Sequence, residues 1–396
     1  MSWPLVSISE FCETGSGGTP SRKQADFYEG DIPWIKSGDL KEKTVTKATE
    51  FITELAIKKS SAKMVPKGAI LLAMYGATVG RMAMLGIDAT TNQAVCSIVP
   101  DENKAFPKYV YYALLNKVPD FLRNAVGGAQ PNISQGMIKD TKIPLPYPDN
   151  PEKSLKEQKR IAAILDKADG IRRKRQQAIQ LADDFLRSVF LDMFGDPVMN
   201  PKGWEVKPLG EICKKITDGE HGTVKRLDEG RLYLMARNVN RLGHLDLADV
   251  SYVSDEDHQR IYKRCGPEKG DILLVCVGAT IGKALIVPEM EEFSLARSVA
   301  LLKPSEKLTS EYLLALINTK AIQAKFLASG NSSAQAGLYL GKIKETKIPL
   351  PSFEKQVEFQ KIVNSVRSKI ITKYHKSGEN SALFNSLSQK AFKGEL

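Results

Sequence analysis

The apolar positions of this chain fall into a pattern that occurs twice. Short apolar runs such as residues 69–73, 93–99 and 272–277 are separated by Gly- and Pro-rich stretches, which predicts strands joined by turns. A short helix is predicted over residues 109–116 and its counterpart over 312–318. An Ile-Pro-Leu-Pro element follows at 143–146 and again at 348–351, where the prolines favour an extended segment. From residue 155 to 194, apolar or small residues recur every three or four positions: Ile161, Ile164, Leu165, Ala168, Ile171, Ala178, Ile179, Ala182, Phe185, Leu186, Val189 and Met193. That is one stripe on a long amphipathic helix, stopped by Gly195-Asp196-Pro197. A second, less regular stripe is predicted over 353–391, with a break or kink at 376–380.

The repetition reaches individual residues. Trp3 and Cys12 find Trp204 and Cys213. Lys67-Gly68-Ala69-Ile70-Leu71-Leu72 finds Lys269-Gly270-Asp271-Ile272-Leu273-Leu274. Gly-Ala-Thr-Val-Gly at 76–80 finds Gly-Ala-Thr-Ile-Gly at 278–282, and the segment 138–146 finds 343–351. The matches keep their order along the whole chain, as a duplicated unit requires. The expected architecture is α+β: two related domains at 1–150 and 197–352, each followed by a helical region, at 151–196 and 353–396. A helix of that length spans about 60 Å and needs a partner for its apolar stripe. Two related halves in one chain can pack about an approximate two-fold axis. That makes the long helices an antiparallel coiled coil with the domains at its ends.

Composition narrows the class. The 396 residues are 42% hydrophobic and 26% charged, which excludes a disordered or collagen-like chain. No apolar run approaches the roughly 20 residues of a membrane span, and no signal-peptide pattern opens the chain, so no membrane association is expected. Five cysteines, odd in number and without a CxxC pair, point to a reducing cytoplasm. The 57 basic against 46 acidic residues give a net charge of +11, compatible with a polyanionic partner.

Motifs for bond chemistry are missing from the sequence. There is no phosphate-cradling GxxxxGK[ST], no HExxH or paired histidine for zinc, no GxSxG elbow and no (Asn/Asp)-Pro-Pro-(Tyr/Phe) of an amino-methyltransferase. The chain therefore reads as one that binds and positions, without a metal or cofactor of its own. The rival readings are a stand-alone DNA methyltransferase or nuclease with unrecognised motifs, and a coiled-coil scaffold that binds only protein.

Candidate binding residues sit in polar loops at matched places. The loop carrying Thr19, Ser21, Arg22 and Lys23 aligns with one carrying His221, Thr223, Lys225 and Arg226. Glycines there let backbone approach a surface, and the side chains donate to phosphate oxygens. Lys36, Ser37 and Asp39 follow an apolar strand, as Arg237, Asn238 and Asn240 do in the second half. Asn92 and Gln93 correspond to Arg297. Such side chains read base edges, and the two halves differ most here. Tyr75, Gln130 and Gln335 complete the candidate DNA-binding set. The Gly-Ala-Thr-Val/Ile-Gly turn is shared and reads as structural. Arg172-Arg173-Lys174-Arg175 reads as a solvated helix face, or else as a contact to DNA or an acidic partner.

Taken together, the sequence resembles the specificity subunits of Type I restriction–modification systems. The resemblance rests on the opening Trp-Pro-Leu, the Gly-Gly-Thr-Pro loop, Trp34-Ile35-Lys36-Ser37-Gly38-Asp39-Leu40, Gly-Ala-Thr-Val-Gly and Ile-Pro-Leu-Pro. Glu157-Gln158-Lys159-Arg160-Ile161 and the ending Ala391-Phe392-Lys393-Gly394-Glu395-Leu396 extend it. It implies two target-recognition domains, each reading one half of a bipartite site in double-stranded DNA, and helical regions forming an antiparallel coiled coil. It also implies a non-catalytic subunit that recruits two modification (methyltransferase) subunits and two restriction (endonuclease) subunits. S-adenosylmethionine, ATP and Mg are then expected on those partners. The second half departs from the pattern, with Asp218-Gly219-Glu220-His221 in place of Gly-Ser-Gly and Gly378 in the distal helix.

Overall fold

In a computed structural model the described residues are 3–125, 132–239, 245–330, 337–374 and 377–396. The chain divides into two compact units. Unit 1 comprises Met1–Arg175 with Ser377–Leu396, and unit 2 comprises Gln176–Lys376. These units cut across the four blocks expected in sequence order. The long helix is shared between them, and the last helix joins the first unit.

Unit 1 runs β1 (Leu5–Ser7), β2 (Cys12–Ser16), β3 (Ile32–Ile35), β4 (Thr44–Val45), β5 (Glu50–Ile52), α1 (Glu54–Lys58), β6 (Met64–Val65), β7 (Ile70–Ala73), β8 (Met82–Leu85), β9 (Ala89–Thr91) and β10 (Val95–Pro100). Then come α2 (Pro107–Leu115), α3 (Val118–Arg123), α4 (Gln135–Lys139), β11 (Lys142–Pro144) and the start of α5 (Pro151–Phe194). A five-stranded sheet, β2-β10-β7-β8-β4, faces a four-stranded sheet, β5-β3-β9-β6, and β1 pairs with β11. All four residues of β7 are buried. Ile70 and Leu72 face the core shared with the helices, whereas Leu71 and Ala73 face the core between the sheets. Burial on both faces explains why this strand is a continuous apolar run rather than an alternating one.

Unit 2 repeats the plan with β12 (Glu205–Pro208), α6 (Leu209–Ile212), β13 (Cys213–Asp218), β14 (Arg231–Leu234), β15 (Ser251–Val253), α7 (Asp255–Cys265), β16 (Ile272–Val275), β17 (Ala284–Ile286), β18 (Ser294–Leu295) and β19 (Val299–Pro304). It continues through α8 (Ser310–Ile317), α9 (Lys320–Gly330), α10 (Leu340–Glu345), β20 (Lys347–Leu350) and α11 (Phe353–Tyr374), and α12 (Ser377–Lys393) returns to unit 1. Its sheets are β13-β19-β16-β17, β15-β14-β18 and β12-β20. Strand β16 is buried on both faces as β7 is. In the shared turn, Gly76, Gly80, Gly278 and Gly282 all have φ between 80° and 88°, a region open to glycine, so this motif serves the fold.

Helix α5 begins four residues earlier than its stripe suggested, because Asn150 caps it and Pro151 takes the first turn, where a missing N–H costs nothing. Gly195, at φ 79°, ends it. Residues 377–380 are helical, so the expected interruption at 376–380 shrinks; residues 375 and 376 lie outside the described ones. In unit 1, the first half of α5 buries Ile161 and Leu165 beside Phe392, and Arg172 lies 5.5 Å from the Phe384 ring, so α12 runs antiparallel to it. In unit 2, Phe190 and Phe194 pack on Phe359 at 5.6 and 5.5 Å, and Asp183 faces Arg367, so α11 is also antiparallel to α5. The stripe is not sealed along its whole length: Ile171 and Phe185 are 53% and 52% exposed.

The same clasp docks each sheet domain on its helix. Gln158 is fully buried; its Oε1 accepts the Phe106 N–H (2.8 Å), and its Nε2 donates to Lys104 O and Ser154 Oγ (both 3.0 Å). Gln356, also fully buried, accepts the Thr309 N–H and donates to Lys307 O and Pro351 O, all at 3.0 Å. Each amide thereby satisfies an orphan N–H at the start of α2 or α8. Tyr109 and Tyr312 donate their hydroxyls to Pro144 O and Pro349 O, both at 2.7 Å, fixing the Ile-Pro-Leu-Pro strand beside them. Trp3 and Trp204 donate their indole N–H to Ala391 O (3.1 Å) and Phe194 O (3.0 Å), the carbonyls of the helix ends beneath.

Around the clasp the copies differ. In unit 1, Asp166 accepts from Lys108 (2.6 Å), Tyr112 (2.7 Å) and Lys43, and buried Asp169 receives Arg172 (2.7 Å) and Arg173 (2.9 Å). Two members of the basic run are thus engaged within their own helix. Burial alone would raise the Asp166 pKa, but the hydrogen bonds from Lys108, Lys43 and Tyr112 prevail and hold it at about 2. A carboxyl whose pKa is lowered by folding adds stability that is complete above its unfolded value and is lost as pH falls through the folded one. Asp166→Asn should therefore lower unfolding free energy by about 1–2 kcal/mol at pH 7 after solvent screening is allowed for. Urea titrations of both proteins should show that difference shrinking as pH drops from about 4 toward 2. A pH-independent difference would contradict the ionised network.

Candidate nucleic-acid interface

In unit 1 three loops converge on one strand edge. Strands β3 and β9 are parallel, with Trp34 opposite Thr90 and Ile35 opposite Thr91, so both end together. The Asn92 N–H donates to Ile35 O (2.9 Å) and the Gly18 N–H to Thr91 O (2.9 Å). A Cβ at Gly17 would meet Thr91 O at 2.2 Å, so only glycine lets the loop after β2 lie this close. The Trp34 indole donates to Gly18 O (3.0 Å) and anchors that loop from below.

Cations at this edge are held by a carboxylate. Arg22 pairs with Glu50 (2.6 Å) and lies 4.3 Å from the Tyr28 ring and 5.2 Å from the Trp34 ring. Lys36 donates to the other Glu50 oxygen. The Lys36 hydrogen bond, with help from Arg22, holds the Glu50 carboxyl below its ordinary pKa against the effect of burial. Thr19, Ser21, Lys23 and Gln93 are exposed and Ser37 is half-buried. Thr91 Oγ1 and Asn92 Oδ1 are buried with no hydrogen-bond partner among the described residues, a cost concentrated where the loops meet.

Unit 2 builds the same edge. Strands β14 and β18 are parallel, with Leu234 opposite Leu295. The Ala296 N–H donates to Leu234 O (2.9 Å), Glu220 N–H to Leu295 O (2.8 Å) and Arg297 N–H to Glu220 O (3.0 Å). A Cβ at Gly219 would meet Leu295 O at 2.0 Å. Acids again hold cations: Glu220 accepts from Arg260 (2.6 Å), and Asp218 pairs with Arg264 (2.9 Å) and His221 (2.7 Å). The Gly222 N–H, then Arg260, keep the Glu220 carboxyl below its usual pKa although burial opposes them. Arg237 is partly exposed and held by Asp249 (3.1 Å) and Ser251 (3.0 Å). Thr223, Lys225, Arg226 and Arg297 are exposed.

Two expected contacts need correction. Asn238 is 1% exposed, accepts the Met235 N–H and donates to Asp246 O and Asp249 O (each 2.9 Å), so it holds its loop instead of facing a partner. Asp39 is likewise committed: one oxygen accepts the Lys36 N–H and the other the Thr49 hydroxyl, both at 2.9 Å. Tyr75 is half-buried and packs against the core on the helix side of its sheet, next to Met74, whose N–H donates to Ala94 O (2.8 Å) beside Gln93. Gln130, Asn240 and Gln335 lie outside the described residues.

The sequence reading missed Glu50, Asp218 and Glu220, and the α7 arginines Arg260 and Arg264. A signal for α7 was present: Ser254 caps it, accepting the Asp257 N–H, and His258, Ile261 and Cys265 form its buried face at helical spacing. Among the described residues no cluster of His, Cys, Asp and Glu has the make-up of a metal site, and no helix is long and apolar enough to cross a membrane.

Both copies of the duplicated α+β unit thus hold cations with carboxylates beside their converging loops. The chain belongs to the Type I restriction modification DNA specificity domain family, whose model matches residues 2–181 and again 201–379. Among curated relatives, the EcoprrI specificity subunit of Escherichia coli is 25% identical over 382 residues, covering 91% of this chain and 88% of that one. The MjaIX specificity subunit of Methanocaldococcus jannaschii is 32% identical over 234 residues, 54% of this chain, so the match spans about half that relative's length (52%). The S subunit from M. genitalium shares the fold, with a TM-score of 0.55 at 18% identity over 98% of this chain and 96% of that one. The family likeness expected from the motifs is thereby established.

The close approach of the loops is the steric condition of the site. Gly219→Ala must push its Cβ into Leu295 O and should lower unfolding stability by about 2 kcal/mol or more, whereas Gly38→Ala, with nothing within 4 Å, should stay within about 0.5 kcal/mol. Urea unfolding of the two variants checks this. Equal losses would mean that the loop, and not the contact, absorbs the change.

Proposed function

We propose that this chain is the non-catalytic DNA-specificity subunit of a Type I restriction–modification complex, reading double-stranded DNA with one unit per half of a bipartite target. One observation carries the reading: the same strand edge, loop approach and acid-held cations occur in both units, while the side chains they present differ. A shared frame with different donors suits two half-sites of different sequence, because base edges are told apart by hydrogen-bond pattern. In unit 1 the donors are Thr19, Ser21, Arg22, Lys23, Lys36 and Gln93. In unit 2 they are His221, Thr223, Lys225, Arg226, Arg237 and Arg297, joined by Arg260 and Arg264. Cations steered by a neighbouring carboxylate keep one orientation before DNA arrives, which lowers the ordering cost on binding.

The 44-residue α5 contributes residues to both units. Modification and restriction subunits supply the chemistry: S-adenosylmethionine on the former, ATP and Mg on the latter. The free, buried state of all five cysteines fits a reducing cytoplasm. Arg297→Ala should cost about 1–3 kcal/mol on the cognate duplex and relax base preference in one half-site only, read by selection from a randomised duplex library. A uniform loss across all sequences would make Arg297 a phosphate contact, and relaxation in both half-sites would contradict one unit per half-site.

A further inference from the structure

Unit 2 contains a cavity of about 330 Å³ between the sheet domain and its helices, lined by segments of α5, α8 and α11 and the start of β17. Unit 1 carries different side chains at the corresponding positions. Aligning the clasps places Tyr109 with Tyr312 and Gln158 with Gln356, so Tyr112 corresponds to Ala315, Asp166 to Asn364 and Asp169 to Arg367. In unit 1 that space holds the Tyr112 ring and the Lys43 ammonium, which hydrogen-bonds Tyr112 and Asp166 and lies 3.7 Å from Asp169. In unit 2 the ring is lost to Ala315. The four-stranded sheet also has, among the described residues, no counterpart of β4, the strand that follows Lys43.

What remains is an unusual wall. Arg367 lines the cavity and forms no hydrogen bond or ion pair among the described residues. Burial depresses its pKa, and Glu311 and Asp183 offset this only through space. Glu311 is instead engaged by Gln360 at 2.6 Å. Arg367 is half-buried, and a guanidinium taken partly out of water without a hydrogen-bonded anion carries an uncompensated desolvation cost. Beside it, Phe190, Phe359, Val363 and Ala315 supply an apolar floor.

We propose that this cavity is a binding site for a monocarboxylate with an apolar, ring-sized body. The guanidinium fork takes the carboxylate in two-pronged fashion, and the body occupies the space that a tyrosine fills in unit 1. The charged lining is Arg187, Lys283 and Arg367 against Asp183 and Glu311, a balance that one negative charge completes and a dianion such as phosphate overshoots. The carboxylate has two possible sources, a free small molecule or an acidic side chain or chain terminus of a partner subunit.

The test uses the full chain with 3-phenylpropionate as probe and 3-phenylpropanamide as its uncharged analogue. Calorimetry should give a Kd of about 1 mM for the acid and at least about tenfold weaker binding for the amide. Arg367→Met and Ala315→Tyr should each abolish binding, the first by removing the fork and the second by refilling the space. Arg367→Met should also raise the ligand-free Tm by about 2 °C, since it removes a partly buried charge that has no hydrogen-bonded anion. The proposal is overturned if the acid fails to bind the unmodified chain, if acid and amide bind alike, or if Arg367→Met lowers Tm as loss of a paired structural arginine would. Repeating the titration on the chain assembled with its modification subunits separates the sources. Loss of the response there assigns the carboxylate to the partner, and its persistence assigns it to a free ligand. That last arm alone rests on the proposed function: failure to assemble would count against that reading and leave the binding data on the isolated chain decisive for the cavity.

Discussion

The arrangement depends on a neutral amide buried at the joint between each sheet domain and its helix. Gln158 and Gln356 are fully buried, and each makes one acceptor and two donor hydrogen bonds to groups that would otherwise be orphaned. An unpaired buried polar group costs about 1–3 kcal/mol, so removing the amide strands several partners at once. An amide needs no counter-ion and carries no desolvated charge, which makes it a more tolerant joint than an ion pair. The tyrosine hydroxyls on Pro144 O and Pro349 O extend the same joint to the Ile-Pro-Leu-Pro strands.

With the joint fixed, its surroundings have been free to diverge. Unit 1 surrounds it with ionised groups, Lys43, Lys108, Asp166 and Asp169, while unit 2 places Glu311 where unit 1 has Lys108 and Arg367 where it has Asp169. The strand ends where the loops converge follow the same rule. Gly17 and Gly219 hold the loop backbone against β9 and β18, and the carboxylates of Glu50, Asp218 and Glu220 orient cations drawn from different elements.

How much of this was legible depended on how local each cause is. Strands β7 and β16 were visible because burial on both faces writes a continuous apolar run, and the end of α5 because Gly195 and Pro197 act on their own neighbours. The repeat identified the frame, since shared glycines mark backbone demands. Glu50 was invisible because it reaches Lys36 only through the antiparallel register that sets Trp34 opposite Glu50. Asn238 was misread because a polar residue in a loop looks the same whether it faces outward or ties the loop to Asp246 and Asp249. The exposure of Ile171 and Phe185 on a regular stripe shows that periodicity marks a face without saying what covers it.

Native-state hydrogen exchange at the Phe106 and Thr309 amides tests the joint most directly, because each N–H has a buried glutamine oxygen as its acceptor. If the clasp docks each domain on its helix, both amides should exchange only through opening of the whole unit, with protection near the global unfolding free energy. Exchange at rates typical of frayed loops, with opening free energies near zero, would show that the domains are held to their helices by something else.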